Sequence, residues 1–401
     1  MLLLPERCRW LLGVCEALPQ RQIKNTLFIC TGGAQYVAPD DIVKLIRPEL
    51  QSLGGYSAHT SPETLADKID IPAERIIKLD ANENPYGCSP RVYKALAEYR
   101  RWNIYPDAAQ AKLRRQLQDY AVADASRIVA ACGSGELLDD ILCLFIKPGD
   151  EVINCIPTFD MYRTRTIISG ATLVNVPRDE NYALDVNAVK AAVTRKTKLI
   201  ILANPNSPTG TVTSERDIQA LLETGVPLLV DEAYYEFYGQ TVVPLVDRYP
   251  NLMVLRTFSK WAGLAGLRAG YGIFPPDIAS YLLKIKLPYN VNVAALVAMQ
   301  ESLRDVDYLM GKVKVIIDER KRLFQELGKI DWLQPFPSQA NFIFCSVLKG
   351  NAGELQQRLQ QKGILVRYFD QPRLQNSIRI SVGKPEDTDI LVEALQKLEG
   401  P

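Results

Sequence analysis

From about residue 110 onward, short apolar runs alternate with longer stretches of helical period. The runs Ile128–Ala131, Glu151–Cys155, Thr172–Val176, Leu199–Ala203, Leu228–Val230, Met253–Thr257 and Ala269–Ile273 read as buried strands. Stretches such as Ala109–Tyr120 and Gly135–Phe145 repeat apolar residues at helical spacing. Strands alternating with helices predict an α/β fold, with a mostly parallel central sheet covered by helices on both faces. The segment Lys286–Asn292, KLPYNVN, interrupts the alternation. After it the pattern predicts one long helix over Val293–Leu327, strands at Asn341–Cys345, Ile364–Arg367 and Ser377–Val382, and a last helix over Glu386–Leu398. That is a smaller C-terminal α/β domain. The resulting partition is an extension of poor order over 1–40, an N-terminal arm over 41–80, a large domain over 81–290 and a small one over 291–401.

Composition narrows the chemistry. The chain has 401 residues and a formal net charge of +1, so no bulk field draws it to nucleic acid or to an anionic membrane. No apolar run is long enough for a bilayer span, and the apolar start is broken by Pro5, Glu6, Arg7 and Arg9, unlike a secretory signal. Eight cysteines without a C-x-x-C pair argue for reduced thiols in a cytoplasm rather than for a zinc or disulfide framework. The single histidine, His59, excludes most Ser-His-Asp, Cys-His and zinc chemistry, so no metal is expected. Lys, Asp, Tyr, Arg or an organic cofactor must carry the reaction.

Ligands of open α/β sheets bind beyond the carboxyl ends of the strands, so the loops that follow the strands are the places to look. Cys132-Gly133-Ser134-Gly135-Glu136 is a Gly-rich turn that opens a helix and offers backbone N–H groups to an anion; without a ligand it is a tight turn. Asn204 to Gly210 reads NPNSPTG, and Asp231-Glu232-Ala233-Tyr234 follows the next strand. Phe258-Ser259-Lys260 comes before the small residues Gly263, Ala265 and Gly266 and then Arg268. A lysine kept neutral by desolvation and nearby cations forms Schiff bases, and a buried Asp needs a cationic partner such as a protonated pyridine nitrogen. Singly, each has a plainer reading: a surface lysine, a helix-capping carboxylate.

Together, in this order, the turn around Ser134, ANPNSPTG, VDEAY and RTFSKWAGLAGLR resemble the fold-type-I pyridoxal-phosphate enzymes, over about residues 75–385. The resemblance implies that Lys260 carries pyridoxal 5'-phosphate as a Schiff base and serves as the base. It implies that Asp231 holds the ring nitrogen protonated and that Tyr234 donates to the ring oxygen. Asn206 or Ser207 is implied beside that oxygen; the family's asparagine position holds Ser207 here, so either is open. Phe159 corresponds to the ring-stacking aromatic. Ser134, Gly135, Thr257, Ser259 and Arg268 correspond to the phosphate site, Glu136 is implied among the cofactor-binding residues, and Tyr105 corresponds to a residue reaching the phosphate from the partner subunit of a homodimer.

Lys78–Gly87, LDANENPYG after its lysine, is similar to the N-terminal signature of histidinol-phosphate aminotransferases. That resemblance implies amino transfer between L-histidinol phosphate and 2-oxoglutarate, giving imidazole-acetol phosphate and L-glutamate, with Tyr56, Asn84, Arg367 and Arg379 at the substrate. An aromatic-amino-acid aminotransferase or a threonine-phosphate decarboxylase would share most cofactor residues. A silent ligand-sensing domain would add a basic DNA-binding helix pair, which residues 1–60 do not resemble.

Overall fold

The computed structural model describes residues 39–51, 53, 54 and 60–398. Residues 39–51 form a 3-10 helix, Pro39–Leu45, and one short α-turn, Pro48–Gln51. The extension expected over residues 1–40 falls almost wholly outside the described residues.

The body from Leu53 onward is one compact unit holding a seven-stranded and a five-stranded sheet. The larger sheet contains β2 (Ile128–Ala131), β3 (Glu151–Ile156), β4 (Thr172–Pro177), β5 (Thr197–Ala203), β6 (Leu228–Asp231), β7 (Leu252–Thr257) and β8 (Gly270–Ile273), in the order β2-β8-β7-β6-β5-β3-β4. Only β8 runs against its neighbours, pairing antiparallel with both β2 and β7. Its reversal leaves β2 parallel to β7, so the loop after β2 opens at the same edge as those after β5, β6 and β7.

Both faces of this sheet are covered. In β7, Leu252 and Val254 join one core while Met253 and Leu255 join the other. This is why the strands read as unbroken apolar runs rather than alternating ones. Cys155 is buried in the sheet as a small hydrophobe.

The second sheet is ordered β1-β11-β12-β10-β9, with β1 at Ile77–Leu79, β9 at Leu333–Phe336, β10 at Phe342–Val347, β11 at Ile364–Tyr368 and β12 at Ser377–Ser381. Its two outer strands were not expected from the pattern. β1 pairs in parallel with β11, which ties the segment read as an arm into the same sheet as the C-terminal strands. The single helix expected over 293–327 is two helices, Val293–Leu303 and Val306–Leu327. The break falls at Asp305, whose carboxylate accepts a hydrogen bond from Ser89. A short acidic side chain with such a partner competes with helix continuation.

Candidate active site

The loops at the carboxyl edge of the seven-stranded sheet enclose a cavity of about 450 Å³. Of the residues singled out from the sequence, it gathers Ser134, Gly135, Phe159, Ser207, Asp231, Tyr234, Thr257, Ser259, Lys260, Arg268 and Arg379.

One end is an anion cradle. The helix Ser134–Phe145 begins after Gly133, whose φ of 81° is open to glycine. A side chain there would put its Cβ 2.9 Å from an Arg268 guanidinium nitrogen. A Cβ on Gly270 of β8 would lie 2.5 Å from the Ser134 backbone nitrogen. Both glycines therefore let backbone and guanidinium close around the helix N-terminus, where N–H groups and the dipole favour a phosphate. Thr257 and Ser259 are tied together at 2.9 Å, and the Ser259 N–H donates to the Thr257 hydroxyl at 3.1 Å. Glu136 is not a wall of this cavity. Its carboxylate accepts from the Cys132 N–H and from Asn290 at 3.1 Å, so it braces the turn from outside.

Opposite polarity lies deeper in. Asp231 ends β6 and is buried; Tyr162 donates to it at 2.7 Å and the Ala233 N–H at 3.0 Å. Burial raises its pKa above the usual carboxylate range, against those two uncharged donors. A protonated ring nitrogen would bring the cation that this carboxylate faces the cavity without. Lys260 Nζ donates to the Ala81 carbonyl at 2.9 Å. Burial first, then the Arg379 charge, lowers its pKa to about 7, so near neutrality a large share of it is the free amine. Tyr234, buried, accepts from Asn82 Nδ2 at 2.9 Å. Arg379 reaches in from β12, donating to the Ser207 hydroxyl at 3.1 Å and to the Asp80 carbonyl at 2.6 Å.

The choice between Asn206 and Ser207 is geometric. Asn206 is fully buried behind the wall: its amide donates to the Pro157 carbonyl at 3.0 Å and to Thr209 at 2.8 Å, and its oxygen accepts from Thr158 at 2.7 Å. Ser207 faces the cavity. Asn84 is likewise spent elsewhere, donating to the Trp261 carbonyl at 2.8 Å and accepting from the Tyr86 N–H at 2.9 Å, while Asn82 and Glu83 line the cavity. Arg367 lies in an adjoining pocket of about 270 Å³ that shares Phe159, Ser207 and Arg379 with the first. Tyr105 is outside both; it is 78% exposed and stacks on Tyr289 with ring centroids 4.5 Å apart. Tyr56 lies outside the described residues. Among the described residues no cluster of His, Cys, Asp and Glu is arranged to hold a metal, and no helix is long and apolar enough to cross a membrane.

Comparison with known families agrees with this chemistry. Residues 74–395 match the family of aminotransferase class I and II. This chain belongs to that family. It is 54% identical to a histidinol-phosphate aminotransferase of Dehalococcoides mccartyi over 358 residues, covering 89% of this chain and 99% of the relative. A histidinol-phosphate aminotransferase of Roseiflexus castenholzii is 46% identical, over 90% and 100% of the two chains. Among solved structures, the histidinol-phosphate aminotransferase of Sinorhizobium meliloti in complex with pyridoxal-5'-phosphate superposes with a TM-score of 0.78 at 28% identity, covering 88% of this chain and 97% of that one. The fold is thus the fold-type-I aminotransferase architecture expected from the sequence.

Proposed function

We propose that this aminotransferase moves the amino group between L-histidinol phosphate and 2-oxoglutarate, giving imidazole-acetol phosphate and L-glutamate, as a step of L-histidine synthesis in the cytoplasm. The observation that carries the reading is the pairing in one cavity of a near-neutral Lys260 amine with a buried Asp231 carboxylate, beside an anion cradle. Those residues fit pyridoxal phosphate: Ser134, Gly135, Thr257, Ser259 and Arg268 for its phosphate, Asp231 for its ring nitrogen, Tyr234 and Ser207 for its ring oxygen, Phe159 for its face.

When bound, pyridoxal phosphate supplies an electrophilic carbon and a protonated ring that withdraws electrons from the substrate Cα. The protein does the rest. Lys260 Nζ is unprotonated often enough at neutral pH to act as nucleophile, and then to take the proton from the substrate Cα. Burial raises the Asp231 pKa and a cation before it would oppose that rise, which makes its ionisation and cofactor binding mutually reinforcing. Arg379 and Arg367, lining adjoining pockets, offer planar forks to the substrate's anion. One substrate presents a phosphate and the other carboxylates, and a guanidinium serves either in turn.

Tyr105 is too exposed to serve its own cavity. We read it as completing the phosphate site of a second copy in a homodimer.

The test is single-turnover absorbance. The loaded protein is mixed with L-histidinol phosphate and, separately, with L-phenylalanine. Rapid change of the bound cofactor's band with the first, lost in Lys260→Ala, is the expected result. Rapid change with phenylalanine alone would reassign the protein to aromatic amino acids.

A further inference from the structure

Asn82 was not among the residues singled out from the sequence, yet at the cavity both its side chain and its backbone are tied by hydrogen bonds. It follows β1 and is 1% exposed. Its φ of 54° lies in the left-handed region, which asparagine tolerates better than most residues. Its backbone N–H donates to the Ser381 hydroxyl at 2.8 Å, and its carbonyl accepts from Asn341 at 2.9 Å. Both partners belong to the second sheet or its lead-in. The preceding carbonyl, Ala81, is the one that receives Lys260.

Ser381 Oγ accepts from the Asn82 N–H at 2.8 Å and donates its own proton to Asn82 Oδ1 at 2.9 Å, which sets the orientation of the Asn82 amide. The Nδ2 end then faces Tyr234 Oη at 2.9 Å and must donate to it, since an amide NH₂ has no acceptor. The Ser207 hydroxyl, which accepts from Arg379, also acts on the Tyr234 phenol. With one lone pair of its oxygen taken by the Asn82 amide, Tyr234 keeps its own proton to donate into the cavity it lines. The other groups acting on this phenol are the Arg379 charge from β12, the Asp231 carboxylate from its own strand end and the edge of the Phe342 ring, with centroids 5.2 Å apart.

We propose that Asn82 is a positioning residue that, locked by Ser381, fixes Tyr234 as a hydrogen-bond donor to the cofactor's ring oxygen. This rests on the reading that pyridoxal phosphate occupies the cavity with that oxygen against Tyr234. Asn82 acts through Tyr234, whose oxygen its amide meets at 2.9 Å. Its second-sheet partners make the donor's geometry depend on how β1, β10 and β12 are packed. An accepted hydrogen bond polarises a hydroxyl and strengthens the bond it donates. Loss of the Asn82 amide therefore weakens the hold on negative charge at the ring oxygen, and the pH midpoint of the bound cofactor's absorbance change rises.

The experiment is a double-mutant cycle on the loaded protein with Asn82→Gly, Tyr234→Phe and both together; glycine keeps the left-handed backbone and adds no charge. Asn82→Gly is expected to raise the absorbance midpoint by about 0.7 pH unit, a fivefold change in the proton equilibrium of the size one net hydrogen bond gives. In the Tyr234→Phe background the same substitution is expected to shift it by less than about 0.2 unit. Ser381→Ala, which leaves Asn82 in place but frees its amide to flip, is expected to shift the midpoint in the same direction by less, and serves if Asn82→Gly does not take up cofactor. An equal shift with and without the Tyr234 hydroxyl overturns the proposal. So does an unmoved midpoint in both Asn82→Gly and Ser381→Ala when Tyr234→Phe moves it. If Tyr234→Phe itself leaves the midpoint in place, the contact of Tyr234 with the ring oxygen fails, and the proposal falls with that reading rather than by itself.

Discussion

Behind Lys260, on the face of β7 away from the cavity, lies a buried charged cluster that makes stability depend on pH. Arg256 and Glu232 form an ion pair at 3.0 Å with both side chains almost fully buried, and the Arg256 guanidinium sits 3.6 Å from the centre of the Tyr235 ring. Glu236, 4% exposed, accepts from the Tyr120 hydroxyl at 2.8 Å, and Tyr120 stacks on Trp261, next to Lys260. One cation thus faces two carboxylates. Burial, only partly offset by Arg256, raises the Glu236 pKa from 4.5 to about 7. The unfolded chain releases this proton near pH 4.5 and the folded chain near 7. Between those values the folded state holds more protons, so stability falls as pH rises. The contribution is complete below about pH 4.5 and gone above about 7. A shift of this size corresponds to about 3 kcal/mol as a ceiling. Glu236→Gln fixes the neutral form, keeps the oxygen that receives Tyr120, and is expected to stabilise the protein by up to that amount at pH 8 and by less than about 1 kcal/mol at pH 5. For a chain of this size the pH 8 gain corresponds to a rise of roughly 4 °C in Tm. Thermal melting of the loaded protein at the two pH values reads it. A gain equal at both, or no gain at pH 8, would refute the assignment of the proton to Glu236.

Three further outcomes follow from the site itself. Asp231→Asn removes the anion facing the ring nitrogen; kcat is expected to fall about 10²–10³-fold with the fold intact by circular dichroism, and retention of parental kcat would reject the role. Gly270→Ala drives a methyl into the Ser134 backbone nitrogen, and the Kd for pyridoxal phosphate, measured by titrating the cofactor's absorbance, is expected to rise at least about tenfold. Arg379→Lys keeps the charge but loses the fork; the KM for glutamate is expected to rise about 10–100-fold with a smaller change in kcat, and a pure loss of kcat would place Arg379 elsewhere in the mechanism.

Most elements legible in the sequence have a uniform environment along their length, although β4, with its mixed burial, was legible too. β3, β5, β6 and β7 are buried on both faces and show it as apolar runs. β1 spans three residues, two half-buried and one buried, too few to display a period. β9 carries Pro335 and has mixed burial, as suits a strand at the edge of its sheet, where a missing N–H costs no ladder bond. The break at Asp305 depends on Ser89, far away in the chain, and no local pattern announces it.

The site divides along the same line. Lys260, Asp231 and Tyr234 were found because each lies within a few residues of a strand end, and strand ends of a parallel sheet share an edge whatever the loops do. Asn206 against Ser207, and Asn82 against Asn84, turn on a different quantity: the direction of one side chain within an irregular loop. Neighbouring loop residues differ by backbone rotation alone, and that rotation is set by distant partners. Asn206 is turned inward by Pro157, Thr158 and Thr209; Asn84 is held by Trp261; Asn82 is turned to the cavity by its left-handed φ and by Ser381 and Asn341. Residue type is equally polar at all four positions, so composition and spacing give no preference among them. Where a position is fixed by a strand end, sequence locates it; where it is fixed by hydrogen bonds from across the fold, only the assembled structure does.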